Sequence, residues 1–142
     1  TSRLLAYGYN NSRRHATPDY VVFAITHQQV LEIVALCNIH KLPIVPRGRG
    51  TGTTGAVVPV NGGIVLSLER MNKIIRIDPA NRLLITQPGA TNQEVQNAAA
   101  EHGFFWAPDP TSAAFCTVGG NLAYNSAGPR VVKYGTPREN TL

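Results

Sequence analysis

The sequence predicts an α+β fold, a small parallel strand-helix-strand core followed by a hairpin. Three observations carry this expectation. Residues 20–25 (YVVFAI) are a short run of β-branched and aromatic residues, the composition of a buried strand. A capping box, Thr26 with Gln29, opens a helix directly after it. A glycine-dense stretch then begins where the next strand, residues 44–46, ends.

In the helix, Val30, Ile33, Val34 and Cys37 recur at i, i+3, i+4 and i+7, one apolar face reaching to about Lys41. A strand-helix-strand crossover makes its strands parallel. Residues 64–68 (IVLSL) are another strand. Residues 74–78 and 83–87 form a hairpin around Asp78-Pro79-Ala80-Asn81, with Pro79 where a type I turn favours it. A second capping box, Thr91 with Glu94, opens a helix with Val95, Ala98 and Ala99 inward and Gly103 at its end. From Trp106 onward the chain is rich in proline and glycine, with one short helical stretch near residues 119–125.

At 142 residues and 43% hydrophobic content, the chain suits one compact core. Its net charge of +5 suits an anionic ligand or simply a soluble surface. Arg13, Arg14 and His15 form a basic run too short for a nucleic-acid stripe, and they are read as a solvated face. Cys37 and Cys116 have neither metal-ligand nor disulfide-framework spacing, so no metal site is expected and a cytoplasmic location is the simpler reading, without excluding peripheral membrane association. No apolar run is long enough to span a bilayer, and the N-terminus lacks a signal-peptide layout. A start at Thr1 without methionine and a stop at Leu142 without a closing element suggest a cut chain.

The glycine stretch is PRGRGTGTTG, residues 46–55. Glycine admits positive φ and close approach, and successive N–H groups in such a turn form a nest for phosphate oxygens. A slack surface loop is the alternative, but three threonines and two arginines favour an anion. The run from Gly50 to Gly55 satisfies G-x-G-x-x-G, and Glu69 lies downstream as a Rossmann acid would. Yet residues 56–63 (AVVPVNGG) cannot hold the helix that fingerprint requires, so Glu69 is expected to partner an arginine instead of a ribose. No lysine follows the last glycine, so the P-loop pattern fails as well.

The P-R-G-x-G-T-G run followed by G-G-I-V-L-S-L-E-R-M-N resembles the FAD-binding domain (PCMH type) of the vanillyl-alcohol oxidase superfamily, in the branch of the glycolate oxidase-like and D-lactate dehydrogenase-like FAD-linked oxidases. Q-P-G-A at 87–90, P-D-P-T-S at 108–112 and T-V-G-G-N-L-A-Y-N-S-A-G-P at 117–129 agree in order. The resemblance implies that Pro46, Arg47, Gly48, Arg49, Gly50, Thr51, Gly52 and Thr53 cradle the FAD pyrophosphate. It implies that Pro110, Thr111 and Ser112, with Cys116, Thr117, Gly119, Gly120 and Asn121, line the cofactor on its other side. Asn125, Ser126, Ala127 and Gly128 would lie near the isoalloxazine. For the asparagines, ordinary capping is the competing reading.

Some members tether FAD through a histidine in this loop, where Thr51 stands here, so noncovalent FAD is expected. His27, His40 and His102 fall at helix ends, and Cys116 reads as a small buried thiol. The resemblance further implies oxidation of a D-2-hydroxy acid to a 2-keto acid, with the electron acceptor and catalytic base unassigned. Alkylglycerone-phosphate synthases and NADPH-dependent peptidoglycan-precursor reductases share the fold, and a non-catalytic phosphate-binding module is the alternative from another class. The rest of the domain and a substrate cap are expected outside residues 1–142. Taken alone, the chain is expected to hold FAD weakly at best, to lack oxidase activity, and to expose Phe104, Phe105 and Trp106 in part.

Overall fold

The computed structural model describes residues 2–142, which fall into two compact units that meet in sequence between Met71 and Asn72. Composition suits one core, whereas the contacts divide the chain at Met71. The first unit opens with a short helix α1 (Ser2–Leu5) and holds β1 (Tyr20–Phe23), α2 (His27–Ile39), β2 (Ile44–Arg47) and β3 (Ile64–Ser67). The α+β class holds, with a finer point of topology. The sheet order is β1-β3-β2 and all pairings are parallel, so β3 lies between the strands that α2 connects.

Burial explains the central place of β3. Val65, Leu66 and Ser67 are all buried, the condition of a strand covered on both faces. Pro46 lies in β2, an edge strand, where a residue without an N–H breaks no second ladder. Thr26 caps α2 as expected: its side chain accepts from the Gln29 N–H, while Gln29 answers at the Thr26 backbone. Val30 and Ile33 pack with Ala24, Leu66 and Met71 to form the core. Val34, expected inward, is 46% exposed, because the sheet is only three strands wide and covers a narrower stripe of the helix.

In the second unit, β4 (Ile74–Asp78) pairs antiparallel with β5 (Leu83–Thr86). The turn is held by Asp78, whose carboxylate accepts from the Asn81 backbone (3.2 Å), the Asn81 side chain (3.1 Å) and Arg76 (2.7 Å). Arg82 follows in the left-handed region at φ 54. The second capping box is present and opens α3 (Asn92–Ala100). Val95 packs there with Ala90 and Val118, and Leu84 and Trp106 close over them.

The expected short helix is α4 (Val118–Tyr124), capped by Thr117 and ended by Asn125 in the left-handed conformation. Two elements of this third are not anticipated by the sequence reading, α5 (Val131–Tyr134) and a 3₁₀ helix (Pro137–Asn140). A third capping box, Thr136 with Glu139 and Pro137 at the first turn, marks the latter and is readable in hindsight. Among the described residues, no helix is long and apolar enough to cross a membrane.

Candidate functional site

The chain leaves the sheet at Arg47, paired with Ser67 at the carboxyl end of the strands. In open parallel sheets this is the edge where ligands bind. Residues 48–55 then run without helix or strand, and none forms across 53–62, which disposes of the Rossmann reading. From Gly48 through Thr54, no backbone N–H donates to another described residue. These residues are partly or fully exposed, so their seven successive N–H groups are open to water or to an anionic acceptor. Among the described residues, the side chains of Arg49, Thr51 and Thr53 likewise make no hydrogen bond.

Two contacts fix the loop's shape. Gly50 sits at φ +70, and a Cβ there would collide with the Arg47 guanidinium. That guanidinium is buried under the loop and donates to the Tyr9 carbonyl at 2.8 Å. It also lies 5.6 Å from the centre of the Tyr7 ring, near enough for a cation–π contact. Tyr7 meets Phe23 edge-on at 5.4 Å and donates its hydroxyl to Glu69 at 2.9 Å. Arg70 lies 4.3 Å over Phe23. The ends of all three strands thus converge beneath the glycine loop. Glu69 takes a phenol as its hydrogen-bond partner, where the sequence suggested an arginine.

The other predicted residues lie in the second unit and are largely engaged among themselves. Residues 111–115 form turns, with Ala113 N–H bonded to Pro110 and Cys116 N–H to Ser112, both at 2.8 Å. Cys116 is a buried free thiol, and its carbonyl accepts from Asn92 N–H at 3.0 Å. Gly119 packs so close that a Cβ would lie 2.6 Å from the Pro88 Cβ, and its N–H bonds Pro88 O at 2.9 Å. Gly120 N–H turns to the Thr117 hydroxyl at 3.3 Å.

Both asparagines have side-chain partners within the unit. Asn121 is buried and gives its amide to Asn92 at 3.1 Å, while Asn125 ends α4 and accepts from Arg138 N–H at 3.2 Å. Ser126 N–H bonds Asn121 O at 2.8 Å, Ala127 O accepts from Asp109 N–H at 2.7 Å, and Gly128 packs against the Asp109 backbone. Among the described residues, the hydroxyls of Thr111, Ser112 and Ser126 make no hydrogen bond. A cavity of about 990 Å³ in this unit, lined by the hairpin, Trp106 and Leu122, touches only Gly119 among the predicted residues.

The family model described as an FAD binding domain matches residues 18–142. The chain belongs to the FAD-binding-domain family. As such a domain, it is 38% identical over 139 residues to the glycolate oxidase protein GlcD of Bacillus subtilis (strain 168), covering 97% of this chain and 30% of the relative. It is 40% identical over 124 residues to a D-lactate dehydrogenase of Anaerostipes hadrus, covering 87% and 26%. Among solved structures it is similar to an alkyldihydroxyacetonephosphate synthase, with TM-score 0.77 and 30% identity over 84% of this chain and 24% of that one. The chain therefore spans about a quarter to a third of the length of these proteins.

FAD is the cofactor of this family, and the glycine loop fits it, since open N–H groups at a strand end suit a diphosphate. Sequence reasoning missed the N-terminal turn that lies against this loop. Its signal was Asn10-Asn11-Ser12, residues that favour tight side-chain-to-backbone turns, just before the two arginines.

Proposed function

We propose that the chain is the pyrophosphate-holding part of an FAD-dependent oxidoreductase that oxidises a D-2-hydroxy acid to a 2-keto acid. The observation that carries the reading is the run of open backbone N–H groups from Gly48 to Thr54 at the carboxyl edge of a parallel sheet. FAD, when bound, supplies the electron acceptor for that oxidation. In this reading Gly48, Arg49, Gly50, Thr51, Gly52 and Thr53 bind phosphate oxygens, and Arg47 shapes the loop from below.

Within the second unit, the same proposal assigns cofactor contacts to the hydroxyls of Thr111, Ser112 and Ser126. Asn121 and Asn125 then act chiefly by holding that segment in shape, since their side chains are engaged within the unit. The loop carries Thr51 and no histidine, which supports noncovalent FAD. Two free, buried cysteines agree with a reducing cytoplasm. The relatives named for glycolate and D-lactate support a 2-hydroxy acid substrate, while the synthase is matched through its structure. No general base is assigned among residues 1–142.

Titrating a flavin-free protein that contains this domain with FAD, and following flavin fluorescence and the loop's amide resonances, tests the cofactor site. Binding that moves residues 48–54 is expected, and binding that leaves them unmoved overturns the cradle. Flavin-dependent oxidation of glycolate or D-lactate by a protein containing this domain tests the substrate class.

A further inference from the structure

Residues 8–16 fold back on themselves and present a tip to the glycine loop. Ala16 N–H bonds Gly8 O at 2.9 Å, and Tyr9 pairs with His15 across the turn. At the tip, the Asn10 side-chain oxygen accepts from both the N–H (3.1 Å) and the hydroxyl (2.6 Å) of Ser12. Asn10 is 4% exposed, so the tip is anchored rather than loose.

Three contacts join this tip to the loop. Arg47 donates to Tyr9 O at 2.8 Å, and the Asn11 amide donates to Thr51 O at 3.4 Å. At Gly55, φ is +87, and a Cβ there would lie 3.2 Å from Arg14 Cδ and 3.4 Å from Ser12 Oγ. The aliphatic stem of Arg14 therefore lies against the end of the loop.

Charge gives this placement a consequence. The loop contains no lysine and its Arg47 is buried and bonded to a carbonyl, so within the loop Arg49 is the exposed cation. Arg14 is exposed, and among the described residues no carboxylate pairs with it. The first unit holds seven of the thirteen Lys and Arg residues and three of the eight Asp and Glu, hence four of the five net positive charges. A diphosphate cradled by neutral N–H groups gains from a cation at the cradle's rim, and a guanidinium offers paired donors to phosphate oxygens.

We propose that Arg14, carried by the Asn10–Arg14 turn, is a side-chain ligand of the diphosphate bound at the glycine loop. The inference rests on the FAD-binding reading of that loop and adds a residue to it from a distant part of the sequence. The turn is thus part of the anion site: Asn11 ties it to Thr51, and Arg14 adds a second exposed guanidinium to the one that Arg49 supplies within the loop.

The test titrates a flavin-free protein that contains this domain with ADP and with FAD at low salt, following the amide resonances of Gly48 to Thr54. Arg14→Gln is expected to weaken both ligands about five- to tenfold, the scale of one charge-assisted contact at a partly exposed site. Arg14→Lys should recover part of the loss, added salt should shrink the difference between R14Q and the parent chain, and the thermal midpoint should stay unchanged. Parent affinity in R14Q overturns the inference and leaves the FAD reading standing. An affinity loss that comes with a lower thermal midpoint traces to the fold and also overturns it. A parent chain whose loop amides respond to neither ligand overturns the inference and the reading together.

Discussion

Arg47, the last residue of β2, donates from Nη1 to the carbonyl of Tyr9 at 2.8 Å, joining points 38 residues apart. The glycine loop begins at this residue, so the N-terminal segment and the loop share one anchor. Because the guanidinium is buried, its bond is made away from competing water.

Replacing Arg47 by Met keeps much of the stem and removes the donor. A hydrogen bond to a charged group contributes about 1.5–3 kcal/mol, so unfolding free energy should fall by that order. Hydrogen exchange of residues 8–16 should accelerate as well. Unchanged exchange in that segment would mean that Arg47 is not its anchor.

Gly50→Val places a β-branched side chain at φ +70 and drives it into the Arg47 guanidinium. The backbone cost alone is about 1–2 kcal/mol. FAD affinity should drop at least about tenfold, the factor that 1.4 kcal/mol represents. Circular dichroism establishes that the variant is folded, and a folded G50V with the parent chain's FAD affinity would sink the cradle assignment.

Burial first, and then its hydrogen bond to Glu69, raise the Tyr7 phenol above the ordinary 10.0, while Arg47 and Arg70 pull more weakly the other way. The folded chain therefore holds this proton more tightly than the unfolded chain. The resulting stability is complete below pH 10.0 and is lost as pH rises through the higher folded value. Denaturation midpoints measured from pH 8 to 11 should fall less steeply for Tyr7→Phe than for the parent chain. Parallel curves would contradict the Tyr7–Glu69 account.

Asn92 is the polar centre of the second unit. It is fully buried, and its oxygen accepts from Trp106 Nε1 at 2.8 Å and Asn121 Nδ2 at 3.1 Å, while its amide donates to Pro108 O at 3.0 Å. Asn92→Ala removes the acceptor of Trp106 Nε1 and Asn121 Nδ2, while Pro108 O keeps Gln96 Nε2 at 3.3 Å, at a cost of about 1–3 kcal/mol for each buried donor left unpaired. The expected signs are a lower unfolding midpoint and altered Trp106 fluorescence. A variant as stable as its parent would show that the network does not hold the unit together.

Features fixed over a few residues were legible in the sequence. Thr26 with Gln29 and Thr91 with Glu94 state where two helices begin, because a capping box is closed within four residues. The run at Ile64 to Ser67 declares a buried strand, and the density of glycines at 48–55 declares a loop free of helix and strand. The box at Thr136 and Glu139 was equally local, but it was obscured by the surrounding glycines and prolines. Only the tertiary structure decided that β3 enters between β1 and β2, that Arg47 turns beneath its own loop toward Tyr9, and that Arg14 lies against Gly55. The reason is physical. Local geometry is set by the dihedral preferences and hydrogen bonds of neighbouring residues, whereas these contacts join positions about 20 to 40 residues or more apart, which only collapse onto a shared core brings together.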